Sequence, residues 1–271
     1  VYDLESARAF SAAAQAAGRR LRIHVKADTG MSRLGWLCDE GHRTEAADAI
    51  AAVCALPGLE VEGIYTHFAN ADGDEAYTMG QFTRFLELLS ELEGRGITFP
   101  IRHCAASAAV LKYPCTHLDM VRPGVALYGH YPDPSCEGLD GVGLRPVMAL
   151  KTRVASVKAV PAGTPVSYGC THVLERDAEL AALTVGYADG LPRLCSDQLE
   201  VLIRGQRAPI VGRVCMDMCM ADATGLGAAP GDEVELFGEH LPVENAAALA
   251  GTIQYELLCA VSPRVPREYL N

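Results

Sequence analysis

Positive charge is scarce in this sequence. It has 23 Lys and Arg residues against 34 Asp and Glu residues, which gives a formal net charge of −11. An acidic surface repels phosphate backbones and anionic lipid, so the composition argues against a nucleic-acid-binding or membrane-surface protein. Long apolar runs are missing too, because no stretch approaches the roughly 20 residues that span a bilayer. We therefore expect no membrane-spanning segment in this chain.

Cysteine pairs at redox or metal-ligand spacing are also absent. The ten cysteines stand at 38, 54, 104, 115, 136, 170, 195, 215, 219 and 259, with no CxxC pair. In a chain of 271 residues this scatter is typical of reduced thiols in a cytoplasmic protein. Cys215 and Cys219 lie in the apolar run "IVGRVCMDMCM" and are predicted to be buried small hydrophobes. The sequence predicts no metal site.

Strands and helices alternate up to about residue 130. Strand-like segments cover 21–30, 59–69, 99–107 and 117–129, and helical segments lie between them, as at 4–18 and 74–94. Alternating β and α units imply a parallel sheet. Polar residues at the carboxyl ends of such strands are where barrel enzymes carry their sites.

The segment 74–94 shows the helical pattern most clearly. Phe82, Phe85, Leu86 and Leu89 recur at i, i+3, i+4 and i+7, and Gly94 is predicted to be the C-cap.

The second half of the sequence shows a different pattern of secondary structure. After a predicted linker at 131–143, short alternating strands are separated by Gly, Pro and Asp turns, which indicates a mostly β domain. We predict an α/β chain with a partial (β/α)8 barrel over 1–135 and a C-terminal β domain over 144–271. Four βα units do not close a barrel of eight, so we expect this sequence to lack the amino-terminal part of the native protein.

The stretch "TVGYADGLPR" at 184–193 places Tyr187 at the end of an apolar strand, at the lip of a turn. A phenol has a pKa near ~10 in water and is a poor base unless its surroundings stabilise the phenolate. Cationic or hydrogen-bond-donor neighbours supply that stabilisation.

Eight motifs occur in one order and together carry a family resemblance. They are "HVKADTGMSRLG", "IYTHFANAD", "HCAAS", "MVRPGVALYG", "VSYGCTH", "TVGYADG", "VGRVCMDMCMAD" and "TIQYE". The sequence resembles the alanine racemases, pyridoxal-phosphate (PLP) enzymes with a (β/α)8 barrel and a C-terminal β domain. The resemblance implies interconversion of L-alanine and D-alanine, which supplies D-alanine for the peptidoglycan cell wall.

The resemblance implies a catalytic group centred on Tyr187. Tyr187 matches the family's tyrosine base, which reaches the active site of the partner subunit in a homodimer. His67, Arg122 and His103 match a hydrogen-bonded chain connected to that tyrosine. Arg122 matches the residue facing the PLP ring nitrogen. A guanidinium has no proton to spare, so it would leave that nitrogen largely unprotonated and restrain side reactions such as transamination.

A phosphate site and a substrate site are implied as well. Ser107, the amides of Gly124 and Val125, and the hydroxyl of Tyr255 match family phosphate contacts, and amides bind anions without net positive charge. Ala106 stands where the family often has asparagine, so a supporting hydrogen bond is expected to be lost.

Arg33 matches a residue that contacts the substrate carboxylate, and Lys26 a lysine that is carbamylated in some members. Met216 and Asp217 match residues contributed by the partner subunit, and Tyr168, like Tyr255, resembles a tyrosine that narrows the entry channel.

The family's Schiff-base lysine is not found. Its motif, Lys-Ala-Asn-Ala-Tyr-Gly-His-Gly, has no counterpart, and none of the four lysines, Lys26, Lys112, Lys151 and Lys158, matches it. That lysine anchors PLP as an aldimine and is the second of two bases. We expect it upstream of Val1, and we expect the 271 residues alone to be inactive.

Three alternatives remain open at this point. The first is a serine or broad-spectrum amino-acid racemase, and the second is a catalytically dead homologue that binds PLP or an amino acid. The third is a PLP-dependent decarboxylase of the same barrel class. Tyr255 favours alanine over serine. Retention of Tyr187, Arg122 and Met216 argues against a mere binder, and "GYADG" with "CMD" argues against a decarboxylase.

Overall fold

A computed structural model describes residues 1–141 and 143–270. Val142, within the predicted linker, and Asn271, at the end of the predicted second domain, lie outside the described residues. The chain divides into two compact units, Val1–Leu144 and Arg145–Asn271. We call them unit 1 and unit 2.

Unit 1 alternates helices with parallel strands. Its elements are α1 (Leu4–Ala16), β1 (Leu21–Asp28), β2 (Trp36–Leu37), α2 (Arg43–Cys54), β3 (Leu59–Tyr65), α3 (Glu75–Gly94), β4 (Ile101–His103) and α4 (Ser107–Lys112). The strands form a four-stranded sheet in the order β2-β1-β3-β4, and every pair is parallel. The predicted parallel α/β arrangement is confirmed.

The sheet of unit 1 has one irregularity that matters for the site. The pairing of β1 with β3 shifts between Ile23 and His24, so that Ile23 pairs with Val61 while His24 pairs with Gly63. A shift of one residue in a strand turns side chains to the other face. Along β1, Val25 and Ala27 are in the apolar core, whereas His24, Lys26 and Asp28 alternate with them.

Helix α3 confirms the predicted element but not its buried face. Asp74 caps the helix by accepting a hydrogen bond from the Tyr77 amide at 2.9 Å. Its buried apolar side chains are Phe82, Phe85, Leu88 and Leu92. The predicted core residue Leu86 is 40% exposed. The apolar stripe follows 82, 85, 88 and 92, which keeps to one side of the helix as the i, i+3, i+4 spacing continues.

The C-terminal cap of α3 also differs from the prediction. Gly94 is the last helical residue and Arg95 is the C-cap, whereas Gly96 adopts φ +79°. Gly96 therefore takes the left-handed position that ends a helix and favours glycine.

The prediction of a strand at 117–129 is wrong. This segment consists of turns and a 3-10 turn at Val125–Tyr128, with one isolated parallel bridge between Ala106 and Arg122. Pro123 has no backbone N–H to donate to a ladder, and Gly129 adopts φ +81°. A strand cannot continue through such positions.

The predicted linker at 131–143 falls within unit 1, and its described part packs against α4. It contains 3-10 turns at Pro134–Cys136 and Leu139–Gly141. Cys136 is fully buried and forms a small apolar cluster with Ala108 and Leu111 of α4.

Unit 2 is mostly β, as predicted. Its elements are β5 (Leu150–Val160), β6 (Pro165–Val166), β7 (His172–Val173), β8 (Ala178–Leu183), β9 (Glu200–Ile203), β10 (Gln206–Pro209), β11 (Cys219–Asp222), β12 (Glu233–Phe237), α5 (Val243–Leu249) and α6 (Gln254–Ala260). Six strands form an antiparallel sheet in the order β10-β9-β12-β5-β8-β11, and β6 and β7 form a separate pair.

All ten cysteines are free thiols. Cys219 is buried as predicted, whereas Cys215 is only half-buried. None of the helices within the described residues is both long and apolar enough to cross a bilayer.

Candidate active site

A row of polar side chains crosses the sheet of unit 1. Lys26 of β1 pairs with Tyr65 of β3, and Tyr65 pairs with His103 of β4. Each residue lies at or near the carboxyl end of its strand, where parallel α/β sheets carry their sites. The Tyr65 and His103 rings are stacked, with centroids 4.9 Å apart and an interplanar angle of 3°.

Arg122 joins this row from the turn-rich segment after α4. Its Nη1 donates to His103 Nδ1 at 2.5 Å, and its Nη2 donates to the Thr66 carbonyl at 2.9 Å and to His67 Nδ1 at 3.2 Å. The guanidinium carbon lies 5.1 Å from the centroid of the Tyr65 ring. The predicted association of Arg122 with both histidines is thus present in the geometry.

Burial lowers the pKa of the Arg122 guanidinium below its ordinary value, and the neighbouring Cys104 and Tyr65 act in the opposite direction. Arginine has so high an ordinary pKa that it stays protonated in proteins. Arg122 is therefore a fixed cation at the centre of this cluster.

Both histidines that contact Arg122 are neutral. Burial, followed by the Arg122 charge, lowers the pKa of His67 to about 4. The same two causes, together with His24, lower the pKa of His103 to about 3. A neutral imidazole offers one lone pair, and in each ring the Nδ1 lone pair faces an Arg122 N–H.

Lys26 of unit 1 carries a buried side-chain amine. The residue is 3% exposed, and its Nζ has no hydrogen-bond partner within the described part of the chain. Burial lowers the pKa of Lys26; Asp28 opposes this, and Arg33 and Arg122 add to it. The Nζ lies 5.5 Å from the centroid of the Tyr65 ring. A buried amine with a lowered pKa favours the neutral form, which is a nucleophile.

The nearby carboxylate of Asp28 organises the loop that carries Arg33. Asp28 Oδ1 accepts hydrogen bonds from the amides of Gly30, Met31 and Ser32 at 3.0, 2.9 and 3.0 Å. Arg33, the next residue in this loop, is exposed. Arg33 is therefore available to a ligand near Lys26.

The proposed phosphate residues of unit 1 meet where α4 begins. Ser107 is 4% exposed, and its Oγ accepts hydrogen bonds from the amides of Gly124 at 2.8 Å and Ala126 at 3.3 Å. Val125, whose amide was the second predicted donor, is buried. Ala106 makes no side-chain cap, and the first turn of α4 begins at Ser107 itself. A hydroxyl and a turn rich in amides thus lie together.

In unit 2, Tyr187 lies in one loop and Met216 and Asp217 lie in another that is joined to it. The Tyr187 amide donates to the Cys215 carbonyl at 3.0 Å, and the Ala188 amide donates to the Met216 carbonyl at 2.8 Å. The turn with Tyr187 is thereby joined to the loop with Met216 and Asp217. Tyr187 is 47% exposed and Met216 is 59% exposed, so their side chains project from this unit.

The other two predicted site tyrosines of unit 2, Tyr168 and Tyr255, lie in the first turn of a short 3-10 segment and of α6. Tyr168 is in a 3-10 turn and is 73% exposed. The preceding Ser167 donates to the Arg213 carbonyl at 2.7 Å, which ties this turn to the strand-to-loop segment before Met216. Tyr255 is the second residue of α6 and is 37% exposed.

The turn that carries Tyr187 has little freedom. A Cβ on Gly186 would lie 2.3 Å from the Cys215 carbonyl oxygen, so this position requires glycine. Asp189 is 7% exposed, accepts the Gly186 amide at 2.9 Å and forms an ion pair with Arg264 at 2.9 Å. The turn is therefore held from both sides, which fixes where the Tyr187 side chain leaves the backbone.

Three residues of the unit 1 cluster, Tyr65, His24 and Glu62, are not predicted from the sequence. Tyr65 stacks on His103, and His24 Nδ1 lies 2.7 Å from His103 Nε2. Glu62 in turn lies 3.5 Å from His24 Nε2. The alternation in "HVKAD" places His24 on the same face as Lys26, which was a usable signal for His24.

The comparisons with known proteins agree over the whole chain. Residues 1–132 match the model of the alanine racemase N-terminal domain, and residues 147–269 match that of the alanine racemase C-terminal domain. The alanine racemase of Desulforamulus reducens is 50% identical over 100% of this chain and 73% of its own length.

Similarity extends to a second curated sequence and to solved structures. The alanine racemase of Methanococcus maripaludis is 46% identical over 100% of this chain and 73% of its own length. The structure of alanine racemase from Streptomyces coelicolor A3(2) has 38% identity and a TM-score of 0.93, and the match covers 100% of this chain and 72% of that one. The predicted resemblance and fold class are confirmed. The chain belongs to the alanine racemase family.

Proposed function

We propose that this protein is an amino-acid racemase that interconverts L-alanine and D-alanine with PLP, in the cytoplasm, and so supplies D-alanine for peptidoglycan. The observation that carries the proposal is the Arg122 cluster. One permanently charged guanidinium is held by two neutral histidines, His67 and His103, at the carboxyl ends of the unit 1 strands.

The residues present fit PLP at its ring nitrogen. Arg122 uses Nη1 and Nη2 for His103, His67 and backbone carbonyls, whereas its Nε donates to no acceptor in residues 1–141 or 143–270. A spare N–H on a cation suits an unprotonated pyridine nitrogen, which is an acceptor. When bound, PLP supplies an electron sink that makes the substrate Cα–H acidic.

The phosphate end fits the residues around Ser107. The Ser107 hydroxyl and the Gly124 amide lie side by side, joined by a 2.8 Å hydrogen bond, and the proposal assigns both to the phosphate together with the Val125 amide and the Tyr255 hydroxyl. Backbone amides in a turn bind anions without net positive charge, in keeping with the acidic composition.

Proton transfer on one face is assigned to the Tyr187 hydroxyl. Its support is the rigid turn that fixes the side chain and the 47% exposure that leaves the phenol available to a second subunit. In this proposal the protein is a homodimer, and Tyr187, Met216 and Asp217 of one subunit complete the site of the other. Tyr168 and Tyr255 narrow the entrance to that site.

The substrate carboxylate is assigned to Arg33. Lys26 supports this role as a carbamate: its neutral amine adds to CO2 and releases one proton, and the resulting anion balances the two neighbouring cations, Arg33 and Arg122. Its support is the buried Nζ with a lowered pKa. Intact-mass analysis of protein purified with and without bicarbonate tests the modification directly.

The test of the whole proposal is a stereochemical assay. The complete gene product is incubated with L-alanine, with D-alanine and, separately, with each enantiomer of serine, and the products are resolved by chiral chromatography. Equimolar alanine enantiomers at equilibrium from either starting point support the proposal. Faster conversion of serine would favour the broad-spectrum alternative, and PLP binding without any interconversion would favour the inactive homologue.

A further inference from the structure

A second imidazole lies behind His103, outside the proposed contacts with cofactor and substrate. His24 Nδ1 is 2.7 Å from His103 Nε2, and the two rings meet edge to face with centroids 4.9 Å apart. On its far side, His24 Nε2 lies 3.5 Å from Glu62 Oε2. Arg122, His103, His24 and Glu62 therefore form one line of contacts, which we call the imidazole relay.

The protons in the imidazole relay are determined by its two ends. Arg122 has only N–H donors, so His103 Nδ1 must be an acceptor. A neutral His103 then carries its proton on Nε2 and donates it to His24 Nδ1. His24 is left with its own proton on Nε2, which faces the Glu62 carboxylate. Each hydrogen points away from the guanidinium and toward the anion.

The backbone makes room for this arrangement. A Cβ on Gly63 would lie 2.6 Å from His24 Nδ1 and 2.5 Å from the Ile101 carbonyl oxygen. Gly63 also follows the register shift that sets Glu62 outside the regular pairing of β1 with β3. A glycine and an irregular pairing at one point thus admit the His24 ring beside His103.

Glu62 is also held in place from outside. Its Oε1 accepts a hydrogen bond from Arg22 Nη1 at 3.2 Å, while Oε2 faces His24. The Glu62 side chain is 32% exposed and that of Arg22 is 68% exposed. The carboxylate is therefore accessible to substitution without opening the core of unit 1.

We propose that His24 and Glu62 are positioning residues that hold His103 as the Nε2-protonated tautomer and so keep its Nδ1 lone pair on Arg122. The inference rests on the proposed function only for its catalytic consequence, which is a guanidinium fixed in direction toward the cofactor ring nitrogen. A hydrogen bond from His103 Nε2 to His24, with a carboxylate 3.5 Å from the far nitrogen of His24, makes His103 Nδ1 a stronger acceptor. Neither residue touches the reacting atoms in this scheme.

The first experiment reads the tautomer without cofactor or activity. The complete gene product, labelled with 15N-histidine, is compared with Glu62→Gln, His24→Phe and His24→Gln by NMR of the imidazole nitrogens. The proposal expects Nε2–H with bare Nδ1 for His103 in the parent protein. It expects both His103 resonances to move in His24→Phe, with recovery in His24→Gln, whose amide oxygen accepts from Nε2–H.

The matched control removes the outer partner of Glu62 and leaves the imidazole relay intact. Arg22→Gln is expected to leave the His103 nitrogens unchanged, whereas Glu62→Gln shifts them. If His24→Phe fails to fold, comparison of Glu62→Gln with Arg22→Gln still tests whether Glu62 sets the tautomer of His103. An Nδ1-protonated His103 in the parent, or equal responses in this pair, would overturn the proposal.

The second experiment measures the catalytic consequence. Glu62→Gln is expected to lower kcat for alanine racemisation about tenfold with little change in KM, and Arg22→Gln to change neither. A protein with the expected tautomer but no racemisation by the parent would leave the imidazole relay standing and refute the proposed function. A racemase in which Glu62→Gln keeps the parent kcat would refute the catalytic part of this inference alone.

Discussion

Gly63→Ala is expected to destabilise unit 1 strongly. The added Cβ would lie 2.5 Å from the Ile101 carbonyl oxygen and 2.7 Å from His24 Cε1, so backbone or the imidazole must move. Overpacking of this kind costs about 1–3 kcal/mol. Displacing His24 also leaves His103 Nε2–H buried without its acceptor, which costs about 1–3 kcal/mol more. The free energy of unfolding should fall by about 3 kcal/mol.

The fluorescence of Trp36 reports the unfolding of unit 1, in which Gly63 lies. It is the single tryptophan of the sequence and packs against the core of unit 1. Urea slopes of about 1–3 kcal/mol per molar predict a midpoint lower by about 1–3 M for Gly63→Ala. Gly80→Ala is the matched control, because its Cβ meets nothing within 4 Å in the interior of α3. There alanine should stabilise by about 0.5–1 kcal/mol. Equal midpoints for the two variants would refute the packing argument at Gly63.

Three further predictions concern other parts of the site. Because the folded protein holds His103 neutral with a pKa of about 3, and unfolded histidine titrates near 6.5, unit 1 should lose stability as the pH falls from about 6.5 toward 3. His103→Asn should flatten that slope in urea titrations read by Trp36, and an unchanged slope would contradict the neutral state. Ser107→Ala should weaken PLP binding about tenfold and pyridoxal binding little, as measured by calorimetry; equal losses would contradict a phosphate contact. Asp189→Asn should cost about 1–2 kcal/mol by removing the charge that pairs with Arg264, and thermal unfolding matching that of the parent would show that the ion pair contributes little.

The α/β pattern of unit 1 could be predicted because it follows from local signals. Alternation and turn residues gave β1, β3 and α3 to within a few residues. The segment 117–129 failed because its apolar residues resemble a strand, while Pro123 and the Ser107 hydroxyl, which binds two of its amides, impose turns. Ser107 is distant in sequence from these amides, so no local pattern predicts the contact.

The residues of the candidate site likewise fall into those that the sequence predicts and those that it does not. The family resemblance predicts that Arg122, His67 and His103 lie together, and hydrogen bonds join them in the structure. His24 and Glu62 could not be paired with His103, because their contact depends on the register shift beside Gly63. The depressed pKa values likewise depend on burial, which arises only when three strands and the Arg122 segment pack together.

The most direct measurement of the central claim is isotope exchange by Tyr187→Phe in the complete gene product. Each alanine enantiomer is incubated in deuterium oxide, and deuterium entry at Cα is followed by mass spectrometry beside chiral analysis. The account predicts that removing the phenol slows proton removal from one enantiomer about 100-fold or more and from the other far less, as loss of a general base on one face requires. Equal, small effects on both enantiomers would contradict the role assigned to Tyr187.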